Sequence, residues 1–256
     1  TTQDCLGVLR AIEKRGSPEQ AKRTLGVISQ VFDYASALGL CPFNPALSLK
    51  RHAPVKQTVE HYPSISWDEV PELLEKMKAN PGGADALTLS GIQMLMLTFV
   101  RTTELIAADW KEINWNQKIW TIPAERMKGK RGSRKEHLVP LSKQAVKVLK
   151  SISQITGPDG LIFKSTRTSS GYISNNTLNM ALKRMGFDDR MCGHGFRSLA
   201  VTNIQERLKI DLRVVDRQLA HIEKNKVTAA YNRAEYWEER VAMMQQWADL
   251  LDAQKT

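Results

Sequence analysis

Four short segments carry the side chains that could do chemistry. In TFVRTTELIAADW, Arg101 and Glu104 stand three apart at the start of an expected helix, where they can share a face and pair. Arg101 directly follows the most apolar run of the chain, GIQMLMLTFV, an awkward place for a charge without a strong anionic partner. His194 and Arg197 repeat the three-residue spacing in MCGHGFRSLAVTNI, and Lys128 sits in the basic segment ERMKGKRGSRKEH at the mouth of an expected hairpin. His221 and Tyr231 lie ten residues apart in LAHIEKNKVTAAYNRAEY. Each segment alone has an ordinary reading: a surface ion pair, packing or capping, a solvated lysine, a structural tyrosine. Cys192 beside His194 raises a zinc site, but no second Cys/His cluster stands nearby to complete one.

The combination points elsewhere. Two guanidinium forks suit the non-bridging oxygens of one phosphodiester, and arginine keeps its charge under working conditions. Histidine moves protons near neutrality, and a lysine of lowered pKa can protonate a departing oxygen. A tyrosine oxygen can attack phosphorus and conserve the bond energy in a covalent ester. No dense carboxylate set suggests the magnesium that hydrolytic nucleases use. Arginines in place of metal, with a tyrosine, indicate transesterification without a cofactor.

The chain that must position these groups has 256 residues, 42% of them hydrophobic, enough for one large core or a large and a small one. Its formal charge of +10 favours an acidic partner, nucleic acid or anionic membrane. GIQMLMLTFV is too short to span a bilayer, and no amphipathic anchor is evident, so a membrane partner is not expected. Three separated cysteines, Cys5, Cys41 and Cys192, suggest reduced thiols in a cytosolic compartment. The start resembles no secretory signal and lacks an initiator Met, as a fragment would.

Periodicity predicts a mainly α chain with a small antiparallel sheet. Leu6, Val8, Leu9 and Ile12 mark a first helix; Ser17 and Pro18 open a second, which should stop at Gly39. Residues 51–63 read as a linker between residues 1–50 and a larger domain, 64–256. That domain opens on Ser66 and Glu69, a capping-box pair, followed by helices over about 85–99 and from 102. Short strands are expected around 110–115, 118–123 and 136–139, then helices at 142–152, 174–185, 195–207, 212–219 and about 227–251. Residues 121–150 hold nine Lys or Arg against two Glu, whereas 234–256 hold two basic and five acidic residues. That asymmetry suits a sheet that receives phosphates and a tail that packs elsewhere, by itself or on a neighbour.

The ordered set VRTTEL, MKGKR with HLVPLS, GHGFR, LAH and AAYNRAEY resembles the tyrosine recombinases, specifically integrases of temperate and satellite phages and genomic islands. The resemblance covers nearly the whole chain. It implies a DNA breaking-rejoining catalytic fold over 64–256, with 1–50 as the C-terminal part of a helical, DNA-clamping core-binding domain. An arm-binding domain and the beginning of the core-binding domain would then be absent. The implied activity is site-specific DNA integration and excision through a 3′-phosphotyrosyl intermediate. A catalytically inactive DNA-binding relative or a type IB topoisomerase is the alternative, and a metal nuclease a third reading. Implied partners are double-stranded attachment-site DNA, three further copies in a tetramer on two sites, and DNA-bending accessory proteins. The isolated chain is expected as a monomer, and the location as the bacterial cytoplasm, on the nucleoid when bound to DNA.

The resemblance also assigns residues. Arg101 and Arg197 would activate the phosphate, Lys128 would assist the leaving 5′ oxygen, and His194 would take part in proton transfer with the nucleophile. His221 would bond the scissile phosphate, Glu104 would support the active-site arginine and histidine, and Tyr231 would attack, with Tyr236 packed. Lys130, Arg131, Arg134 and Lys135 are candidate contacts to the DNA backbone. The chain departs from the subgroup at Thr102 and Thr103, where Pro-Gly is usual. Threonine can cap a helix start, so the position of Arg101 should survive.

Overall fold

The computed structural model describes residues 1–51, 62–129, 132, 134–221 and 235–255. The chain forms two compact units, Thr1–His61 and Tyr62–Thr256. Most of the segment expected as a linker lies outside the described residues.

The first unit holds α1 (Thr2–Lys14), α2 (Pro18–Ala37) and α3 (Leu47–Arg51). Thr1 caps α1 by accepting from the Asp4 N–H. Pro18 occupies the first turn of α2, but the Ser17 side chain makes no capping bond, contrary to expectation. The helix stops where expected, with Gly39 at φ +71° just beyond it. Cys5, Leu9, Ile12, Ala21, Leu25 and Ala46 make a small core.

The second unit is built around α5 (Ala86–Thr98), whose buried side chains include Leu87, Ile92, Met94, Leu95, Met96 and Leu97. Apolar residues all round one helix are what a core helix requires. Packed against it are α7 (Lys143–Thr156), α8 (Asn175–Leu182), α9 (Gly195–Leu208) and α11 (Trp237–Asp252). The chain reaches α5 through α4 (Val70–Ala79), preceded by a tight turn at Trp67–Glu69. There the Glu69 carboxylate accepts from the Ser66 N–H at 2.8 Å, half of the expected box. Between α5 and α7 lie α6 (Thr102–Ile106) and the sheet, and α10 (Leu212–Gln218) follows α9.

The sheet has three strands in the order β1 (Ile113–Asn114), β2 (Ile119–Ile122), β3 (His137–Pro140). Both pairings are antiparallel, with Ile113 opposite Trp120 and Trp120 opposite Val139. The first strand is shorter than expected because Trp110–Glu112 forms a 3-10 turn instead. Asp109 caps that turn by accepting from the Lys111 N–H.

Candidate active site

Arg101 lies at the start of α6, two residues after Phe99 ends α5 in the left-handed region at φ +42°. The Glu104 carboxylate takes both the Arg101 main-chain N–H, at 2.9 Å, and its Nη1, at 2.6 Å. The helix therefore begins where the sequence suggested, but Glu104 supplies the cap rather than Thr102 or Thr103. Glu104 is 1% exposed, so this is a buried acceptor held by a partner cation rather than a surface pair. The other Arg101 nitrogen, Nη2, reaches the carbonyl of Ala220 at 3.4 Å.

Arg197 comes from the first turn of α9, with its side chain buried. It donates from Nη1 to the Phe99 carbonyl at 2.8 Å and from Nη2 to the Leu219 carbonyl at 2.9 Å. Burial, and then repulsion from Arg101, lowers its pKa to about 10, so it stays charged at neutral pH. The two forks thus meet at adjacent carbonyls, Leu219 and Ala220, where α10 ends. A helix C-terminus carries unpaired carbonyls and partial negative charge, which is why it can gather cations.

His221 leaves the same turn. Its N–H bonds the Asp216 carbonyl at 3.1 Å, and the Ala220 N–H bonds that of Arg217 at 3.2 Å, with Ala220 at φ +50°. These two bonds and the left-handed residue make a Schellman end to α10. The Asp216 carboxylate also accepts from Nδ1 of His221, at 2.9 Å. With Nδ1 committed, Nε2 is the nitrogen left to meet a ligand.

His194 stands just before α9, half-buried. Burial pulls its imidazole below the ordinary value, and the positive charges of Arg197, Arg101, Lys128 and His221 press it further in that order. Four residues separated widely in sequence therefore act electrostatically on one imidazole. Lys128 is exposed in the β2–β3 hairpin, whose base is locked by Arg126 through both its terminal nitrogens to the Glu112 carboxylate.

Of the candidate backbone contacts, Arg134 is occupied within the hairpin, donating to the carbonyls of Gly129 at 2.8 Å and Glu125 at 2.9 Å. Lys135 is exposed. Lys130, Arg131 and Tyr231 lie outside the described residues. Tyr236 is partly buried against the core.

Sequence reasoning missed the groups that hold the turn. His137 on β3 bonds the Gln218 carbonyl at 2.9 Å, so three successive carbonyls, Gln218, Leu219 and Ala220, are taken by His137, Arg197 and Arg101. Arg240 of α11, 1% exposed, donates to the Gln218 side-chain oxygen at 2.8 Å and to the Leu138 carbonyl. Asp216 was overlooked too, although a carboxylate five residues before a histidine at a helix end was a usable signal.

The architecture matches solved recombination enzymes. A lambda integrase tetramer bound to a Holliday junction aligns with a TM-score of 0.64 at 20% identity, over 88% of this chain and 65% of that one. That likeness is one of fold. The family model described as Phage integrase family matches residues 63–238, and that described as Phage integrase central domain matches 1–52. The chain belongs to the phage integrase family. It is 39% identical over 265 residues to the putative protein IntB of Escherichia coli K12, covering 99% of this chain and 66% of that protein. It is 34% identical to the integrase of Enterobacteria phage P4, over 98% of this chain and 59% of that one. The chain spans about three-fifths to two-thirds of the length of these two relatives.

Proposed function

We propose that the chain is the catalytic portion of a site-specific DNA recombinase that exchanges strands through a 3′-phosphotyrosyl intermediate. The observation that carries this reading is the meeting of Arg101 and Arg197 at the Leu219–Ala220 turn, with His221 the next residue. A phosphodiester placed there would offer its non-bridging oxygens to two arginine forks and an imidazole Nε2. Preorganised donors of this kind typically contribute roughly 3–4 kcal/mol each to transition-state stabilisation.

In this mechanism the Tyr231 oxygen attacks phosphorus, its proton passing to His194, while the bond from phosphorus to the 5′ oxygen breaks. Lys128 protonates that oxygen. A 5′-hydroxyl of the partner duplex then attacks the phosphotyrosine and frees Tyr231. A depressed His194 pKa suits a proton acceptor, because the neutral imidazole is the form present near pH 7. Chain connectivity is compatible with the role of Tyr231: it lies four residues before Glu235, a reach of at most about 14 Å. Glu235 is itself paired with Arg217 of α10, at 2.9 Å from Nε, one turn from His221.

The substrate in this reading is double-stranded attachment-site DNA of a phage or genomic island. Residues 1–50 form part of the DNA clamp, and four copies assemble on two sites, as in the lambda integrase tetramer bound to a Holliday junction. DNA-bending accessory proteins complete the assembly, and the reaction takes place in the bacterial cytoplasm.

The test is incubation in EDTA with a pool of nicked suicide duplexes, resolved on a denaturing gel. A protein–DNA adduct that vanishes in Tyr231→Phe and persists in Tyr236→Phe supports the reading. Binding without an adduct from any duplex points to an inactive DNA-binding relative. Chelator-sensitive cleavage with free ends points to a nuclease.

A further inference from the structure

The residues on which the chain enters the second unit are fastened to the turn that carries His194. The Tyr62 ring lies against the His194 imidazole with centroids 4.4 Å apart and planes tilted by 49°. The Ser64 hydroxyl donates to the Gly195 carbonyl at 3.0 Å, and the Cys192 thiol approaches the Pro63 carbonyl at 3.7 Å. The fit explains the glycine of GHGFR. A β-carbon on residue 195 would come within 2.2 Å of the Pro63 carbonyl oxygen and 3.0 Å of the Met191 sulfur. Real atoms cannot approach a main-chain oxygen that closely, so any larger residue must displace this strap.

We propose that Tyr62 is a positioning residue for His194, the strap Tyr62–Ser64 fixing its ring over the imidazole and so setting that ring's orientation and exposure. The catalytic half of this proposal rests on the reading of His194 as the proton acceptor. Tyr62 is 63% exposed, so its packing adds little to the core, yet among the described residues its aromatic partner is a residue of the candidate site. The charged groups acting on His194 come from elsewhere: Arg197 on α9, Arg101 at the start of α6, Lys128 on the hairpin and His221 after α10. Removing the Tyr62 ring leaves these charges in place and gives water access to one face of the imidazole. The His194 titration should then move up, towards the ordinary histidine value.

The experiment is a pH titration of isotope-labelled histidines by NMR on the full chain without DNA, the His194 signal being assigned by its loss in His194→Gln. Tyr62→Ala should raise the His194 midpoint by roughly half a pH unit or more. Tyr62→Phe, which keeps the ring, should restore it. Thermal unfolding of Tyr62→Ala should match the wild type within about 2 °C, as expected for an exposed side chain. An unmoved His194 midpoint in Tyr62→Ala would overturn the contact. A second arm follows adduct formation on the suicide duplexes against pH, where the ascending limb for Tyr62→Ala should shift with the midpoint. A moved midpoint with an unmoved rate profile would overturn the link to the reaction. If the wild type forms no adduct, the proposed function and the catalytic half of this inference fall together, and the NMR result still decides the contact.

Discussion

His137 and Gln218 are joined by one hydrogen bond that fixes the state of the imidazole. A carbonyl only accepts, so the Nε2 of His137, 2.9 Å from the Gln218 oxygen, must carry its proton. His137 is 3% exposed, and burial, followed by repulsion from Arg240, lowers its pKa to about 3. The ring is therefore neutral in the folded chain, and a proton taken up by the unfolded chain opposes folding.

The sign of the pH dependence follows. An unfolded histidine titrates near 6.5, so the contribution of His137 is fully present above that pH and is lost as pH falls towards 3. The loss amounts to about 1.4 kcal/mol per pH unit, or about 2 kcal/mol by pH 5. Urea unfolding at pH 7 and pH 5 should show that excess acid sensitivity in the wild type relative to His137→Gln, which has no titrating ring. Equal pH dependence in the two chains would refute it.

Ala220 carries backbone strain that a single atom relieves. It occupies the left-handed C′ position of the Schellman end at φ +50°, where glycine is the usual residue. Left-handed backbone costs a non-glycine residue roughly 1–2 kcal/mol, while glycine adds roughly 0.4–1 kcal/mol of unfolded-state entropy. Ala220→Gly should therefore stabilise the chain by about 0.5–1 kcal/mol, read as a higher urea midpoint at constant slope. A lower midpoint would mean that the alanine methyl makes contacts worth more than the strain.

That alanine also shows why part of the site was legible in the sequence and part was not. Reactive side chains stood out because their types are costly to place: Arg101 after an apolar run, His194 three residues from Arg197, a lysine in a basic hairpin. The helix end at Gly39 was readable from its glycine. The end of α10 was placed to within a residue, at 219, although Ala220 stands where glycine would have announced it. β1 was overextended because Trp110–Trp115 has strand-like composition, while the Asp109 carboxylate diverts its beginning into a 3-10 turn. His137 and Arg240 were invisible for another reason. Their acceptors are main-chain and amide oxygens that lie 81 and 22 residues away or more, and no local spacing encodes such a partner.

Arg197 should not tolerate its nearest chemical substitute. Its fork spans two carbonyls, Phe99 and Leu219, from the ends of two different helices. A lysine ammonium is a point charge on a different stem and cannot reproduce the fixed planar fork. Arg197→Lys would leave at least one carbonyl without its donor and shift the remaining charge away from Arg101. Adduct formation should fall by about 100–1,000-fold, the range for loss of one preorganised donor. Glu104→Gln gives a graded comparison, since it keeps a cap for Arg101 but removes the carboxylate charge. A wild-type rate in Arg197→Lys would exclude the fork as the phosphate holder.

Trp247 decides where the last helix belongs. Sequence alone left the tail over 234–256 open to packing by itself or on a neighbour. In the structure Met243 and Trp247 are both fully buried, and the Trp247 indole donates to the Met96 carbonyl at 2.9 Å while its ring meets Trp67 at 5.8 Å. Gln144 of α7 adds bonds to Asp249 and Asp252 of α11, at 2.8 and 2.9 Å. These contacts belong to one chain, so the helix contributes to the stability of a single protomer. Trp247→Ala should cost about 3–5 kcal/mol, as large-to-small changes at buried aromatics do. The loss should be independent of protein concentration, because the Trp247 ring is already buried within one chain. A midpoint that rises with wild-type concentration, and a loss in Trp247→Ala that shrinks on dilution, would instead place this helix on a neighbouring subunit in solution.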